Sequence, residues 1–187
     1  MLVRAYLGLG SRYSYLASTQ LDGIAARTGA SFEWVPLESP RLIRAARRDS
    51  SPFDAADPTG PYDPVYRDLD VRRWAAHYGV PYHAPDLSAV APDAPSLACW
   101  AAPTPQDREA RCRTIFERLF VHGCAVTDAW LRALDGAGSE PDRAARRHDA
   151  AIEMALANGA FGVPTFVVDG ELFFGNDRLA LLERRLG

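Results

Sequence analysis

The pattern of apolar and polar positions over the first 37 residues predicts a strand, a helix and a second strand. Residues 3–9 form a short, mostly apolar run, which indicates a buried strand. Apolar residues then recur at helical spacing from Ser11, a candidate N-cap, to Gly29, a typical helix end. Residues 31–37 alternate polar and apolar side chains, as a strand does. Such a unit places its two strands parallel, with a right-handed crossover between them.

Helical periodicity dominates the middle of the chain. Residues 40–64 are rich in Pro, Asp, Ser and Arg, which indicates a loop or a ragged short helix. Beyond them the spacing of apolar residues predicts helices over 66–78, 94–102, 105–122, 129–134 and 141–158. We therefore interpret residues 40–158 as an all-helical insertion domain.

Strand character returns near the carboxy terminus. Residues 165–168 and 171–174 flank Asp169-Gly170, one of the strongest short hairpin signals. Asn176 and Asp177 are then predicted to cap a last helix over 178–186. The order βαβ, helical insertion, ββα makes this an α/β chain. Residues 1–39 and 159–187 form its second domain.

Composition and charge narrow the classes of function. Of the 187 residues 48% are hydrophobic, which is enough for a core, and the formal net charge of -3 implies no general affinity for nucleic acid or anionic membranes. No run approaches the roughly 18 apolar residues of a membrane span, and the amino terminus is more typical of a strand than of a signal peptide. The three cysteines lack a C-x-x-C pair and the four histidines lack metal-ligand spacing, so we expect a cytoplasmic protein without a metal.

Four motifs spread over the chain carry a resemblance to a known family. They are Ser11-x-Tyr13-Ser14-Tyr15-Leu16-Ala17, Tyr66-x-x-x-Asp70-x-x-Arg73, Phe161-Gly-Val-Pro-Thr-Phe and Phe174-Gly-Asn-Asp-Arg178. With the predicted element order, the Val-Pro-Thr loop resembles the thioredoxin fold and its cis-proline loop. A helical domain inside that fold is the arrangement of its DsbA-like branch. Within this branch, the chain resembles the 2-hydroxychromene-2-carboxylate isomerases and kappa-class glutathione transferases.

The resemblance implies a thiol site centred on Ser11. Redox members of the fold carry a cysteine pair where residues 11–14 here read Ser-Arg-Tyr-Ser, so this chain has no cysteines there for thiol–disulfide exchange. A serine at a helix N-terminus favours a bound anion, and a thiol with a pKa near 8.5 is drawn toward its thiolate there. The family implies that glutathione supplies this thiol and that Ser11 is the catalytic residue. Another low-molecular-weight thiol remains an alternative.

Other positions follow the family in part. The resemblance implies that the backbone of Val163, beside Pro164, pairs with the cysteinyl backbone of glutathione. It also implies that the turn at Asn176 and Asp177 receives the γ-glutamyl end.

Two further residues are candidate substrate contacts. The family usually has proline where this chain has Arg12, whose cation is suited to a substrate carboxylate. Tyr13 is an aromatic residue at the same helix start and a candidate wall for a flat substrate. A further departure is Gly8, which replaces the family's usual aspartate in the first strand.

Together these features predict a thiol-dependent isomerase of an aromatic or conjugated-enone carboxylic acid. A glutathione transferase that keeps the thioether product is one alternative. A thioredoxin-like binding module without catalysis is another. The family also implies a homodimer.

Overall fold

Four strands form a single mixed sheet in the computed structural model, which describes residues 1–47, 63–135 and 140–187. The sheet order is β2-β1-β3-β4, with β2 parallel to β1 and the other neighbours antiparallel. This confirms the predicted strand–helix–strand unit and the carboxy-terminal hairpin. The strands are β1 (Leu2–Gly8), β2 (Ser31–Leu37), β3 (Thr165–Val168) and β4 (Glu171–Phe174).

Helices connect and cover these strands. A π-helical turn, Glu117–Val121, directly follows the helix that ends at Phe116. A 3₁₀ turn, Asn176–Arg178, directly precedes the helix that begins at Leu179. The α-helices in the described ranges are α1 (Arg12–Ser18), α2 (Leu21–Thr28), α3 (Ser39–Ala46), α4 (Pro64–Tyr78), α5 (Ala94–Trp100), α6 (Pro105–Phe116), α7 (Asp128–Asp135), α8 (Pro141–Ala157) and α9 (Leu179–Leu186). Across these same ranges, no helix is both long enough and apolar enough to cross a bilayer.

The sheet separates two apolar cores because successive side chains of a strand point to opposite faces. Ala5 and Leu7 of β1 belong to one core, which includes residues of α1, α2, α4, α6 and α9. Tyr6, between them, belongs to the other core, with residues of α3, α5 and α8. Phe166 and Val167 of β3 divide between the cores in the same way. The near-continuous apolar sequence of β1 therefore reflects burial on both faces.

One predicted helix is two helices in the structure. The sequence pattern predicts a continuous helix from Ser11 to Gly29, but α1 ends at Ser18 and α2 begins at Leu21. The hydroxyls of Ser18 and Thr19 donate to carbonyl oxygens three residues back, each at 2.7 Å. Such side-chain bonds compete with regular helix continuation, and the apolar spacing alone does not reveal them.

Two further boundaries differ from the prediction. The segment predicted as a loop or ragged short helix begins with a regular helix, α3, while residues 48–62 lie outside the described ranges. The predicted cap at Asn176-Asp177 is wrong, since neither the 3₁₀ turn nor α9 has a side-chain cap hydrogen bond. The Asn176 side chain lies inside the fold, and the exposed Asp177 carboxylate accepts from Arg178 instead.

The inserted helices pack directly on the strands. Helices α5, α6 and α8 all contact β2, and α3 contacts α8. The division into a thioredoxin-like domain and a helical domain stays a prediction, since these contacts join the two parts through shared apolar cores.

A buried histidine joins α8 to the start of α3. His148 is 1% exposed, and its Nε2 accepts the backbone N–H of Glu38 at 3.2 Å. Burial is the main cause that lowers the pKa of His148, and the nearby Arg41 lowers it further, whereas Asp149 and Asp93 act in the opposite direction. The neutral imidazole therefore fits this position, because a protonated Nε2 accepts no hydrogen bond.

We expect the free energy of unfolding to decrease as pH falls below the unfolded-state histidine pKa of 6.5. The folded state binds the His148 proton more weakly than the unfolded state does, so His148 contributes stability above that pKa and loses it as pH falls through the lower folded value. Denaturant titrations between about pH 8 and pH 5 measure this slope. His148→Gln should flatten it. Equal slopes for wild type and His148→Gln would contradict the assignment.

Candidate functional site

A cavity of about 770 Å³ opens where β1 and β2 end. That volume lies within the range of small-molecule sites. Four of the seven predicted site residues line it together: Ser11, Arg12, Tyr13 and Val163. Residues that sequence reasoning did not select also line it, among them Ser39, Arg47 and Arg67.

Ser11 is the N-cap of α1, as predicted. Its Oγ accepts the backbone N–H of Ser14 at 3.2 Å. A hydroxyl that accepts one bond still has its own hydrogen to donate. Since α1 has only seven residues, its dipole is a small contribution beside this hydroxyl and the adjacent Arg12 cation. The arrangement is suited to hold an anionic atom at the head of the cavity.

The loop before β3 provides a second wall with backbone groups. The Val163–Pro164 peptide bond is cis, which confirms the predicted cis-proline loop. The carbonyl of Pro164 accepts the N–H of Gly175 at 2.9 Å, which holds the loop against the end of β4. Within the described residues, neither the N–H nor the C=O of Val163 makes a hydrogen bond. Both remain able to pair with an extended peptide, as in β-strand addition.

Tyr13 contributes its ring to the cavity, while its hydroxyl is already bonded. The hydroxyl donates to Asp70 Oδ2 at 2.8 Å and so joins α1 to α4. Burial, followed by this hydrogen bond, raises the pKa of Tyr13 far above the ordinary value. Tyr13 therefore stays protonated at physiological pH and offers an aromatic surface.

Three arginines line the cavity. They are Arg12 at the start of α1, Arg47 directly after α3, and Arg67 on α4. No aspartate or glutamate appears among the described lining residues. The Arg12 guanidinium makes no hydrogen bond or ion pair with any group in the described ranges. The Arg12 cation therefore favours an anionic ligand.

The remaining walls are mostly apolar. Phe161, which precedes the cis-proline loop, and Phe174, the last residue of β4, have ring centroids 4.5 Å apart and are 50% and 40% exposed. Large exposed aromatics beside a cavity are typical of surfaces that contact a ligand. Other apolar lining residues are Leu9, Leu37, Ile43, Leu87 and Val90. The cavity is thus suited to a ligand with an apolar body and an anionic group.

The structure does not bring Asn176 and Asp177 into this cavity. Their turn contacts α1. Asn176 is 3% exposed, and neither its amide nitrogen nor its oxygen makes a hydrogen bond with good geometry. It is nevertheless close enough to Tyr78 to lower the pKa of that hydroxyl, against the larger raising effect of burial. The Asp177 carboxylate is half-exposed and accepts from Arg178 at 2.6 Å. Their role toward a thiol stays a prediction.

Sequence reasoning missed residues for two different reasons. Arg67 lies on α4, and no local pattern indicates which face of α4 approaches α1. Ser39, in contrast, follows β2 as Ser11 follows β1, and parallel strands place such residues at one edge of the sheet. That signal was available from the predicted parallel unit. Throughout the described residues, no group of His, Cys, Asp and Glu is suited to hold a metal ion.

Comparison with known proteins agrees with this architecture. The DSBA-like thioredoxin domain family matches residues 3–187. A 2-hydroxychromene-2-carboxylate isomerase from Sphingobium xenophagum is 31% identical, over 97% of this chain and 95% of that protein. One from Pseudomonas putida is 26% identical, over 100% and 95%. A solved 2-hydroxychromene-2-carboxylate isomerase matches with a TM-score of 0.77 at 24% identity, over 100% of this chain and 95% of that one, which supports the fold. The chain therefore belongs to the DSBA-like thioredoxin domain family and, within it, to the family of 2-hydroxychromene-2-carboxylate isomerases.

Proposed function

We propose that this protein is a thiol-dependent cis-trans isomerase of an aromatic or conjugated-enone carboxylic acid, with glutathione as the first candidate for the thiol. The observation that carries the proposal is the position of Ser11. Its hydroxyl keeps a hydrogen to donate, at the head of an apolar cavity with three arginines and no described carboxylate. The names of the curated relatives support 2-hydroxychromene-2-carboxylate as the first substrate to test.

The residues present fit a bound thiol with a peptide backbone. The Ser11 hydroxyl is suited to the sulfur, and the Val163 backbone to an adjacent amide. The Arg12 cation favours the ionised form of both the thiol and a carboxylic acid. When bound, the thiol supplies a nucleophile whose reversible addition to the enone makes the C=C bond single for long enough to rotate.

The chain itself supplies orientation and electrostatic stabilisation. Ser11 donates a hydrogen bond to the anionic sulfur, which lowers the thiol pKa. Arg12 pairs with the substrate carboxylate and holds the double bond near that sulfur. The ring of Tyr13 and the aromatic pair of Phe161 and Phe174 offer flat apolar surfaces to the conjugated system. For 2-hydroxychromene-2-carboxylate the cyclic hemiketal first opens to the enone: its ring C–O bond breaks and its hydroxyl proton passes to the departing ring oxygen. The thiol itself returns unchanged at the end of each cycle.

Ser11→Ala should lower kcat for isomerisation of 2-hydroxychromene-2-carboxylate by about 10²-fold, the usual effect of removing one donor to a developing or bound anion. It should also weaken glutathione binding measured by calorimetry. The assay follows the ultraviolet spectrum of the substrate with and without reduced glutathione. Mass spectrometry of the product separates an isomerase from a transferase, which would leave a glutathione thioether.

Thr104→Ala is the matched control for Ser11→Ala. Thr104 is the N-cap of α6, its Oγ1 accepts the N–H of Asp107 at 3.1 Å, and it does not line the cavity. Each substitution removes one helix cap and costs roughly 1 kcal/mol of stability. Only Ser11→Ala should affect the rate. Wild-type protein with no measurable affinity for any cellular thiol, and no thiol-dependent isomerisation, would contradict the proposed function.

Arg12→Gln should raise KM for the carboxylate substrate about tenfold while changing kcat less, because a hydrogen-bonded charge pair with the substrate is lost. Steady-state kinetics at saturating glutathione measures this. Arg72→Gln is the control, since Arg72 lies outside the cavity and is bonded to Asp68 on the exposed face of α4. An unchanged KM in Arg12→Gln would place the substrate carboxylate elsewhere in the cavity.

A further inference from the structure

Gly8, the last residue of β1, lies where three walls of the cavity meet. The point that a Cβ atom would occupy on Gly8 is 3.4 Å from Ser11 Cβ and 2.8 Å from Val163 Cγ2. The Ser39 hydroxyl oxygen is closer still, so close that a real Cβ would overlap it. The hydroxyl of Ser39 therefore occupies the space that any side chain on residue 8 would take.

The Ser39 hydroxyl has no hydrogen-bond partner among the described residues. Ser39 is half-buried, is the first residue of α3 and lines the cavity together with Ser11 and Val163. Its position is set from outside the cavity, because His148 accepts the backbone N–H of the preceding residue, Glu38. A hydroxyl that is held in place, lines the same cavity as Ser11 and is unbonded has a hydrogen available for a ligand atom.

We propose that Ser39 is a second hydroxyl donor to the anionic atom held by Ser11. Ser11 and Ser39 then contact the same ligand atom from two sides, one from the end of β1 and the other from the end of β2. Resting on the proposed function, this assigns Ser39 as a catalytic residue toward the thiolate sulfur. It also explains why glycine suits position 8 in this chain, because a Cβ atom there would overlap the Ser39 hydroxyl.

Ser39→Ala should raise the pKa of bound glutathione by about one unit and lower kcat about tenfold, because a hydrogen bond to a charged group is lost. The pKa is read from the ultraviolet absorbance of the thiolate as pH is varied, with S-methylglutathione as the blank. This readout does not depend on turnover. Ser39→Thr keeps the hydroxyl and should restore most of both quantities. Ser31→Ala, at the exposed start of β2, is the control and should change neither.

Gly8→Ala tests the same contact without removing the hydroxyl, although the added Cβ also presses on Val163 Cγ2, 2.8 Å away, so the comparison with the Ser39→Ala background is what isolates Ser39. The added Cβ should displace Ser39 Oγ and raise the thiol pKa in the wild-type background. The effect of Gly8→Ala on the thiol pKa should be smaller in the Ser39→Ala background, because no Ser39 hydroxyl remains there to displace. The two substitutions should therefore be non-additive.

The outcomes separate this inference from the proposed function. Wild-type protein that binds no thiol and shows no isomerisation overturns the proposed function and with it the role of Ser39. An active wild type whose bound thiol keeps its pKa and kcat in Ser39→Ala overturns the role of Ser39 alone. Additive effects of Gly8→Ala and Ser39→Ala would show that the two residues act separately, and would also overturn it.

Discussion

The parallel pairing of β1 with β2 is the constraint on which the candidate site depends. It sets Gly8 opposite Leu37, so both strands end at the same edge of the sheet. The chain leaves β1 into Ser11 and α1, and leaves β2 into Ser39 and α3. A shift of this register by one residue would turn the side chains of one strand to the opposite face and would separate the two helix starts. The large apolar area buried on both faces makes such a shift costly.

The antiparallel half of the sheet completes the site with backbone groups. Strand β3 pairs with β1, so the cis-proline loop that precedes β3 reaches the edge where β1 ends. Val163 brings unbonded backbone groups there, while Ser11 brings a hydroxyl. A peptide-like ligand and an anionic atom can therefore be held side by side by elements far apart in the chain. A sheet edge suits this task, because its strands are packed into two apolar cores and hold the site residues in fixed positions relative to one another.

Electrostatics then determine which ligands fit this edge. The Arg12 cation, without a partner in the described ranges, lines a cavity whose other described walls are largely apolar. In such surroundings the electrostatic attraction between an anion and a cation is stronger than it is in water. Tyr13 does not compete for this role, because burial and the bond to Asp70 keep its hydroxyl protonated and engaged. The cavity combines recognition of a charge with apolar surface for a conjugated body.

The sequence by itself determined the element order, the hairpin at Asp169-Gly170 and the N-cap at Ser11. All three depend on local periodicity, turn chemistry or one side chain near its own backbone. The break between α1 and α2 depends on local hydrogen bonds of Ser18 and Thr19, which the apolar spacing alone does not reveal. The burial of Asn176 and the approach of Arg67 to the cavity were decided by tertiary structure. Both depend on which faces of distant elements meet after packing, and the local spacing of residues does not show this. Gly8 shows the difference most clearly. From the sequence, Gly8 is only a position where the family's usual aspartate is absent, whereas in the structure the Ser39 hydroxyl occupies the space that a side chain on residue 8 would take.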